Sequence, residues 1–256
     1  MSKAIFMHIM PDCPFCERTY FLLRALGYDV KLRIWHFHEF KKYKEEVNPI
    51  TGLFPMVEFD GKNLTDSTII MDYFLAKHPT NSLTSLTPKQ KEEEAILIKE
   101  IGQVGVHLLA MSIKNPRVLS KTFSTIMGKN KPNILISLQA RSLWKPKLQK
   151  IILSMENGEL VNQMSLEQVQ LSFDKLLEDL QGMIISKGEN NPFLLGYLSM
   201  ADFIMAGHLM CIYKTANEEY ERLISPFPQL KQYQQLFLDN NEILQKAIIP
   251  DSKLAA

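Results

Sequence analysis

The chain opens on a short apolar run from Ala4 to Ile9, the length of a buried strand. Phe15, Thr19, Leu22, Leu23 and Leu26 then recur at helical spacing until Gly27 closes the helix. Val30, Leu32 and Ile34 alternate with Lys31, Arg33 and Trp35, which is a strand pattern. A charged stretch from Glu39 to Val47 is helical in pattern and ends at Asn48-Pro49. Met56 to Phe59 gives a third strand, Asp60-Gly61 a tight turn, and Asn63-Leu64 a short return strand. A helix starts at Asp66-Ser67, is expected to carry Ile69, Ile70, Tyr73 and Phe74 inward, and stops at His78-Pro79. A right-handed crossover pairs the first two strands in parallel, and the hairpin extends the sheet with antiparallel pairing.

This order, βαβ and then αββα, is the thioredoxin-like arrangement. The expected fold class is an α/β thioredoxin-like N-terminal domain over residues 1–80, followed by an all-α helical bundle domain over residues 90–250. Residues 80–90, rich in Thr, Ser and Asn, read as a linker. Beyond them one helix runs from Lys91 to about Ile113, and Asn115-Pro116 interrupts it. Ser165 with Gln168 has capping-box spacing at the head of a helix reaching about Ser186. Ser199 with Asp202 repeats that spacing before a helix that is apolar nearly all round, and therefore central. Residues 117–164, broken by Gly128, Pro132 and Pro146, yield no firm elements.

With 256 residues, 46% of them hydrophobic, the chain can bury a large core. A net charge of +1 points to no nucleic-acid partner. The charge is uneven, however: Ile101 to Met155 holds no Asp or Glu but nine Lys and Arg, from Lys114 to Lys150. A solvated helical face explains this most simply; an electropositive wall that steers an anionic substrate is the other reading. No secretory pattern and no membrane-crossing run stands out, so a soluble cytoplasmic protein with no membrane partner is expected.

The chemistry concentrates in Cys13-Pro14-Phe15-Cys16, on the turn from the first strand into the first helix. A helix start offers unpaired N–H groups and the positive end of the dipole, which stabilise a thiolate on Cys13. Cys13 is the expected nucleophile. Cys16, one turn deeper, is the expected resolving thiol. Asp12 would oppose the thiolate unless its side chain turns away. Zinc would need more ligands than this one pair, and no second C-x-x-C exists, so no metal is expected. Three cysteines in a chain this long do not suggest structural disulfides, and Cys211 reads as a small buried hydrophobe.

Together with Asn48-Pro49, Gly52, Phe54-Pro55, Asp60-Gly61, Asp66-Ser67, Pro192-Phe193-Leu194-Leu195-Gly196 and Ser199-Met200-Ala201-Asp202, these residues resemble the cytosolic glutathione transferase superfamily, and the thiol motif resembles its cysteine-type, omega and glutaredoxin-2-like branches. The resemblance implies glutathione as cosubstrate, bound by Phe15, Phe54, Pro55, Asp66 and Ser67. Pro55 would be a cis-proline that turns the Phe54 backbone toward the cysteinyl part of glutathione, while Asp66 and Ser67 would hold the γ-glutamyl group. The basic partner of the glycyl carboxylate is left open among His38, Lys41 and Lys42. The resemblance further implies a glutathione-dependent thiol transferase or reductase working through a Cys13 mixed disulfide, on a small-molecule or protein disulfide or electrophile, in a homodimer. A conjugating transferase and a non-catalytic interaction module are the alternatives.

Overall fold

A computed structural model describes residues 4–79, 81–129, 131–188, 191–215, 217–239, 244, 247 and 248. The expected domain limit at residue 250 lies outside them. The first strand, β1 (Ala4–Ile9), leads into α1 (Pro14–Ala25) and returns as β2 (Asp29–Ile34). An irregular helical passage follows, made of a 3-10 turn (Phe37–Glu39), the single turn α2 (Phe40–Lys42) and a π-turn (Tyr43–Val47). The hairpin β3 (Met56–Phe59) and β4 (Lys62–Thr65) then completes a four-stranded sheet in the order β2-β1-β3-β4. β1 pairs with β2 in parallel and with β3 antiparallel, which is the thioredoxin-like topology. α3 (Ser67–Ala76) closes this half, capped by Asp66.

The expected inward face of α3 needs one correction. Ile69 points to solvent, and Met71 takes the buried place beside Ile70 and Phe74. β2 is an edge strand, so Leu32 and Ile34 are exposed although they alternate as a half-buried strand should.

The rest of the chain is helical. α4 (Pro88–Lys114) starts inside the expected linker, where Thr87 and Gln90 form a reciprocal capping box. It is long and apolar enough to cross a membrane by length and composition, contrary to the sequence-based expectation. In the fold, however, it is a core helix: Leu97, Ile101, Val104, Ala110 and Ile113 are buried, and it packs on α9 (Leu166–Ser186) and α10 (Met200–Thr215). The stretch that gave no firm elements folds into α5 (Pro116–Ile126), α6 (Ile134–Gln139), a π-turn (Ala140–Trp144), α7 (Lys145–Leu153) and α8 (Gly158–Gln163). α11 (Asn217–Ile224) and α12 (Pro228–Leu238) follow α10.

The two halves meet where α10 lies along α1. Gly207 makes that approach possible, since a Cβ there would stand 2.7 Å from the Pro14 carbonyl oxygen. Lys214 on α10 donates to buried Glu17 on α1 at 2.7 Å, and Phe21 meets Phe237 edge-on at 5.8 Å. The start of α1, and Cys13 with it, is thus held against the helical half.

Candidate active site

Cys13 occupies the N-cap of α1 with extended backbone (φ −98, ψ 112), and Pro14 follows at the first helical position, where its missing N–H needs no partner. The Cys13 carbonyl accepts from the Cys16 and Glu17 N–H groups at 3.0 and 3.1 Å. Both thiols are buried, with Cys13 3% and Cys16 1% exposed, yet their chemistry diverges. The Cys16 thiol donates to Cys13 and, with the backbone N–H groups of Cys16 and Phe15, pulls the Cys13 pKa below the ordinary thiol value against the cost of burial. Burial, with the adjacent Cys13 adding to it, pushes the Cys16 pKa well up. Glu17 is a carboxylate that opposes the Cys13 thiolate.

The register sets the opposite side of the site. His8 pairs with Met56, so Pro55 stands level with the end of β1, from which the chain turns into Cys13. The Phe54–Pro55 peptide bond is cis. Phe54 is held by stacking on Tyr43, with ring centroids 4.1 Å apart. The preceding loop is pinned by Asn48, whose side-chain amide donates to Leu53 O at 3.1 Å and Thr51 Oγ1 at 2.9 Å, and by the Tyr43 hydroxyl, which donates to Leu53 O at 2.8 Å.

Asp66 and Ser67 lie at the start of α3, across from α1. Asp66 caps the helix, its Oδ1 accepting from the Thr68 and Ile69 N–H groups at 2.8 and 3.3 Å. Ser67 is buried and accepts from Arg18. Arg18 escaped the sequence reading. It sits four residues after Pro14, so it rises from the same face of α1, lies 4.9 Å over the Phe15 ring, and also reaches Thr68 Oγ1 at 3.4 Å. Burial lowers its pKa, while Asp66 and Cys13 raise it. Its Nε is buried with no hydrogen-bond partner among the described residues. The signal was available as a single Arg one turn beyond the thiol motif.

The three basic candidates for the glycyl carboxylate all have other contacts. Lys41 and Lys42 pair with Glu45 and Glu46 at the surface, and His38 stacks on His36. The stem of Lys44, which the sequence reading passed over, crosses Gly52 beside the Phe54 turn.

Cys13 opens onto a cavity of about 880 Å³, whose walls are mainly apolar and come from α4, α5, α7, α9 and α10. Leu108, Val118, Trp144, Leu148 and Ile151 are typical of the lining. The lysines of the basic segment are not part of that wall, so the segment supplies its apolar side chains to the cavity and its charges to the surface. Cys211 is half-buried and lines this cavity instead of being core. His208 lines it as well, with its pKa pushed down to about 4 by burial and then by Arg18, so the imidazole is neutral. Cys16 borders a different, smaller cavity of about 270 Å³ with Glu17, Tyr20 and Lys214. The two thiols therefore face different spaces.

Residues 7–82 match the model of the glutathione S-transferase N-terminal domain. No curated protein matches the chain. Among solved structures, the glutathione S-transferase of Ceriporiopsis subvermispora in complex with glutathione is 13% identical with a TM-score of 0.64, over 93% of this chain and 100% of that one. The glutathione transferase GSTFuA2 from Phanerochaete chrysosporium is 13% identical with a TM-score of 0.64, over 93% and 98%. The glutathione transferase Omega 3C from Trametes versicolor is 17% identical with a TM-score of 0.50, over 98% and 92%. Residues 7–82 thus match a glutathione S-transferase N-terminal domain, in a chain whose fold is similar along most of its length to that of solved glutathione transferases.

Proposed function

We propose that the protein is a glutathione-dependent thiol transferase in which Cys13 carries the chemistry. The observation that supports this most is the Cys13 thiol, with its lowered pKa, at a helix start and on the wall of an apolar cavity. A conjugating transferase needs a donor that stabilises the glutathione thiolate without bonding to it, whereas a thiolate at this place is itself a nucleophile. Glutathione fits the surroundings. The Phe54 backbone before Pro55 offers a strand-like pairing edge, Asp66 and buried Ser67 suit the γ-glutamyl ammonium and carboxylate, and the Arg18 Nε has a donor to spare. Lys44 is the basic group beside that turn for the glycyl carboxylate.

In the proposed reaction the Cys13 thiolate attacks one sulfur of a glutathione mixed disulfide. The S–S bond breaks, the partner sulfur leaves as a thiolate and takes a proton, and Cys13 holds glutathione in a new disulfide. A second glutathione thiolate attacks that bond, restores Cys13 and leaves as glutathione disulfide, supplying the two electrons. Cys16 supports the first step as a hydrogen-bond donor. Its raised pKa makes it a slow resolving nucleophile, so the second glutathione is the faster route.

Incubation with oxidised glutathione followed by intact-mass measurement tests this. The expected result is one glutathione adduct, retained in Cys16→Ala and lost in Cys13→Ser. Absence of an adduct in every form overturns the proposal and leaves the interaction-module reading; glutathione conjugation that survives Cys13→Ser favours the conjugating one.

A further inference from the structure

α6, the π-turn and α7 form one helical rod from Ile134 to Leu153. Its buried seam is Ile136, Ala140, Trp144, Leu148 and Ile152. The side away from that seam is apolar and open: Ile134 is 82%, Leu135 63% and Leu138 57% exposed, and Leu143 and Leu153 are exposed as well, while Ile151 is exposed on the flank of the seam, beside the cavity. Between them stand the exposed Arg141, Lys147 and Lys150 and the half-buried Lys145, with Lys131 just before the rod. Among the described residues none of these five forms an ion pair, and Lys147 lies over the Phe37 ring at 4.4 Å. The nearest acids in sequence are Glu100 and Glu156, and Glu156 is already paired with Lys99 at 2.8 Å.

We propose that this face of the rod docks on an anionic lipid bilayer, lying in the plane of the surface. An exposed apolar stripe interleaved with cations and free of acids is the composition of an interfacial helix, in which the apolar side chains enter the acyl boundary and the cations meet lipid phosphates. A second copy of the chain suits the face poorly, because a two-fold contact would set the same five cations against themselves. A water-exposed surface leaves six large apolar side chains without a function. The reading departs from the sequence-based expectation of no membrane partner, which rested on the lack of a spanning segment and said nothing of a segment lying flat. Ile151, exposed on the flank between that face and the seam, lines the cavity wall, so the docked surface borders the cavity that Cys13 opens onto.

Co-sedimentation with vesicles tests the proposal without glutathione or turnover, so its failure is separate from that of the thiol-transfer reading. The protein is expected to pellet with phosphatidylcholine vesicles that contain phosphatidylserine, much less with phosphatidylcholine alone, and to be released by salt. Arg141→Glu with Lys150→Glu should weaken partition at least about 25-fold, since each cation near such a surface contributes about fivefold. Leu135→Glu with Leu138→Glu should abolish it, whereas Ile50→Glu, at an exposed apolar site elsewhere, should not change it. Thermal melts near that of the wild type show that the variants fold. No binding to the anionic vesicles, or binding that both double variants retain, overturns the proposal. So does sedimentation that shows a dimer lost in Leu135→Glu with Leu138→Glu, because the face is then covered by a second copy.

Discussion

Replacing Asp202 with Ala separates two forces at the junction that supports α10. The carboxylate is fully buried and accepts from the Ser199 N–H at 2.8 Å, the Ser199 hydroxyl at 2.7 Å, the Leu194 N–H at 3.1 Å and the Tyr233 hydroxyl at 3.2 Å. Burial nevertheless pushes its pKa from the usual 3.8 up to about 6, against the pull of these donors. Between those values the folded chain holds a proton that the unfolded chain has lost, so this group's contribution to stability is complete below the lower value and is lost as pH rises through the higher one. A difference of about two units corresponds to about 3 kcal/mol. Asp202→Ala strands two buried backbone N–H groups at about 1–3 kcal/mol each, a loss of about 2–6 kcal/mol. Tyr233 keeps its bond to the Asp202 carbonyl at 2.9 Å. Because ionisation burdens only the wild type, the penalty should be largest near pH 4 and smaller by up to about 3 kcal/mol at neutral pH. His208, with its pKa at about 4, tilts stability the opposite way, but it is present in both proteins and cancels. Urea unfolding of both proteins across that pH range measures the difference. A penalty that stays flat or grows with pH would show that the four donors outweigh burial, and would refute the reasoning.

The remaining predictions concern the thiols, the clamp on Ser67 and the cavity. Alkylation of Cys13 by iodoacetamide should have its pH midpoint below the ordinary thiol value; Cys16→Ala should move it up and Cys16→Ser less, because a hydroxyl still donates, and an unmoved midpoint would show that the Cys16 bond is not the main cause. Arg18→Ala should raise the KM for glutathione roughly tenfold or more with little change in kcat, as loss of a charged hydrogen bond to bound substrate would; a fall in kcat alone would count against it. Gly105→Ala places a Cβ 2.7 Å from His208 Cε1, so the thermal melt should fall by the equivalent of about 1–3 kcal/mol; an unchanged melt would mean that the α4–α10 contact is looser than described.

The sheet was legible because its signals are local. β1 and β3 have the bounds that their apolar runs predict, and Asp60-Gly61 specifies the hairpin between β3 and β4. Asp66 was visible because an Asp before an apolar helical run is a plain N-cap, and Asp202 because its spacing from Ser199 is that of a capping box. What stayed hidden depends on contacts between distant segments. Arg18 became a site residue only when α3 brought Ser67 within its reach, and the need for Gly207 shows only where α1 lies against it. The separation of Cys13 and Cys16 into different cavities was equally invisible, since it depends on which part of α10 covers each thiol.

Residues 117–164 failed for a more specific reason, contained in the rod that they build. Its buried seam advances by four residues at each step, from Ile136 to Ile152. A regular α-helix turns past the starting direction by about 40° over four residues, so a four-residue repeat drifts out of register with a 3.6-residue template within a few turns. The π-turn at Ala140–Trp144 absorbs the drift, because its wider turn unwinds the rod between α6 and α7. Trp144 thereby stays in line with Ile136 and Leu148, where it lines the cavity, and Leu143 is left outside with Leu138. In sequence, the same device makes apolar residues fall on both sides of the helix, which reads as no face at all. The pattern that looked like noise is that of a helix with two apolar faces, one buried against the fold and one exposed.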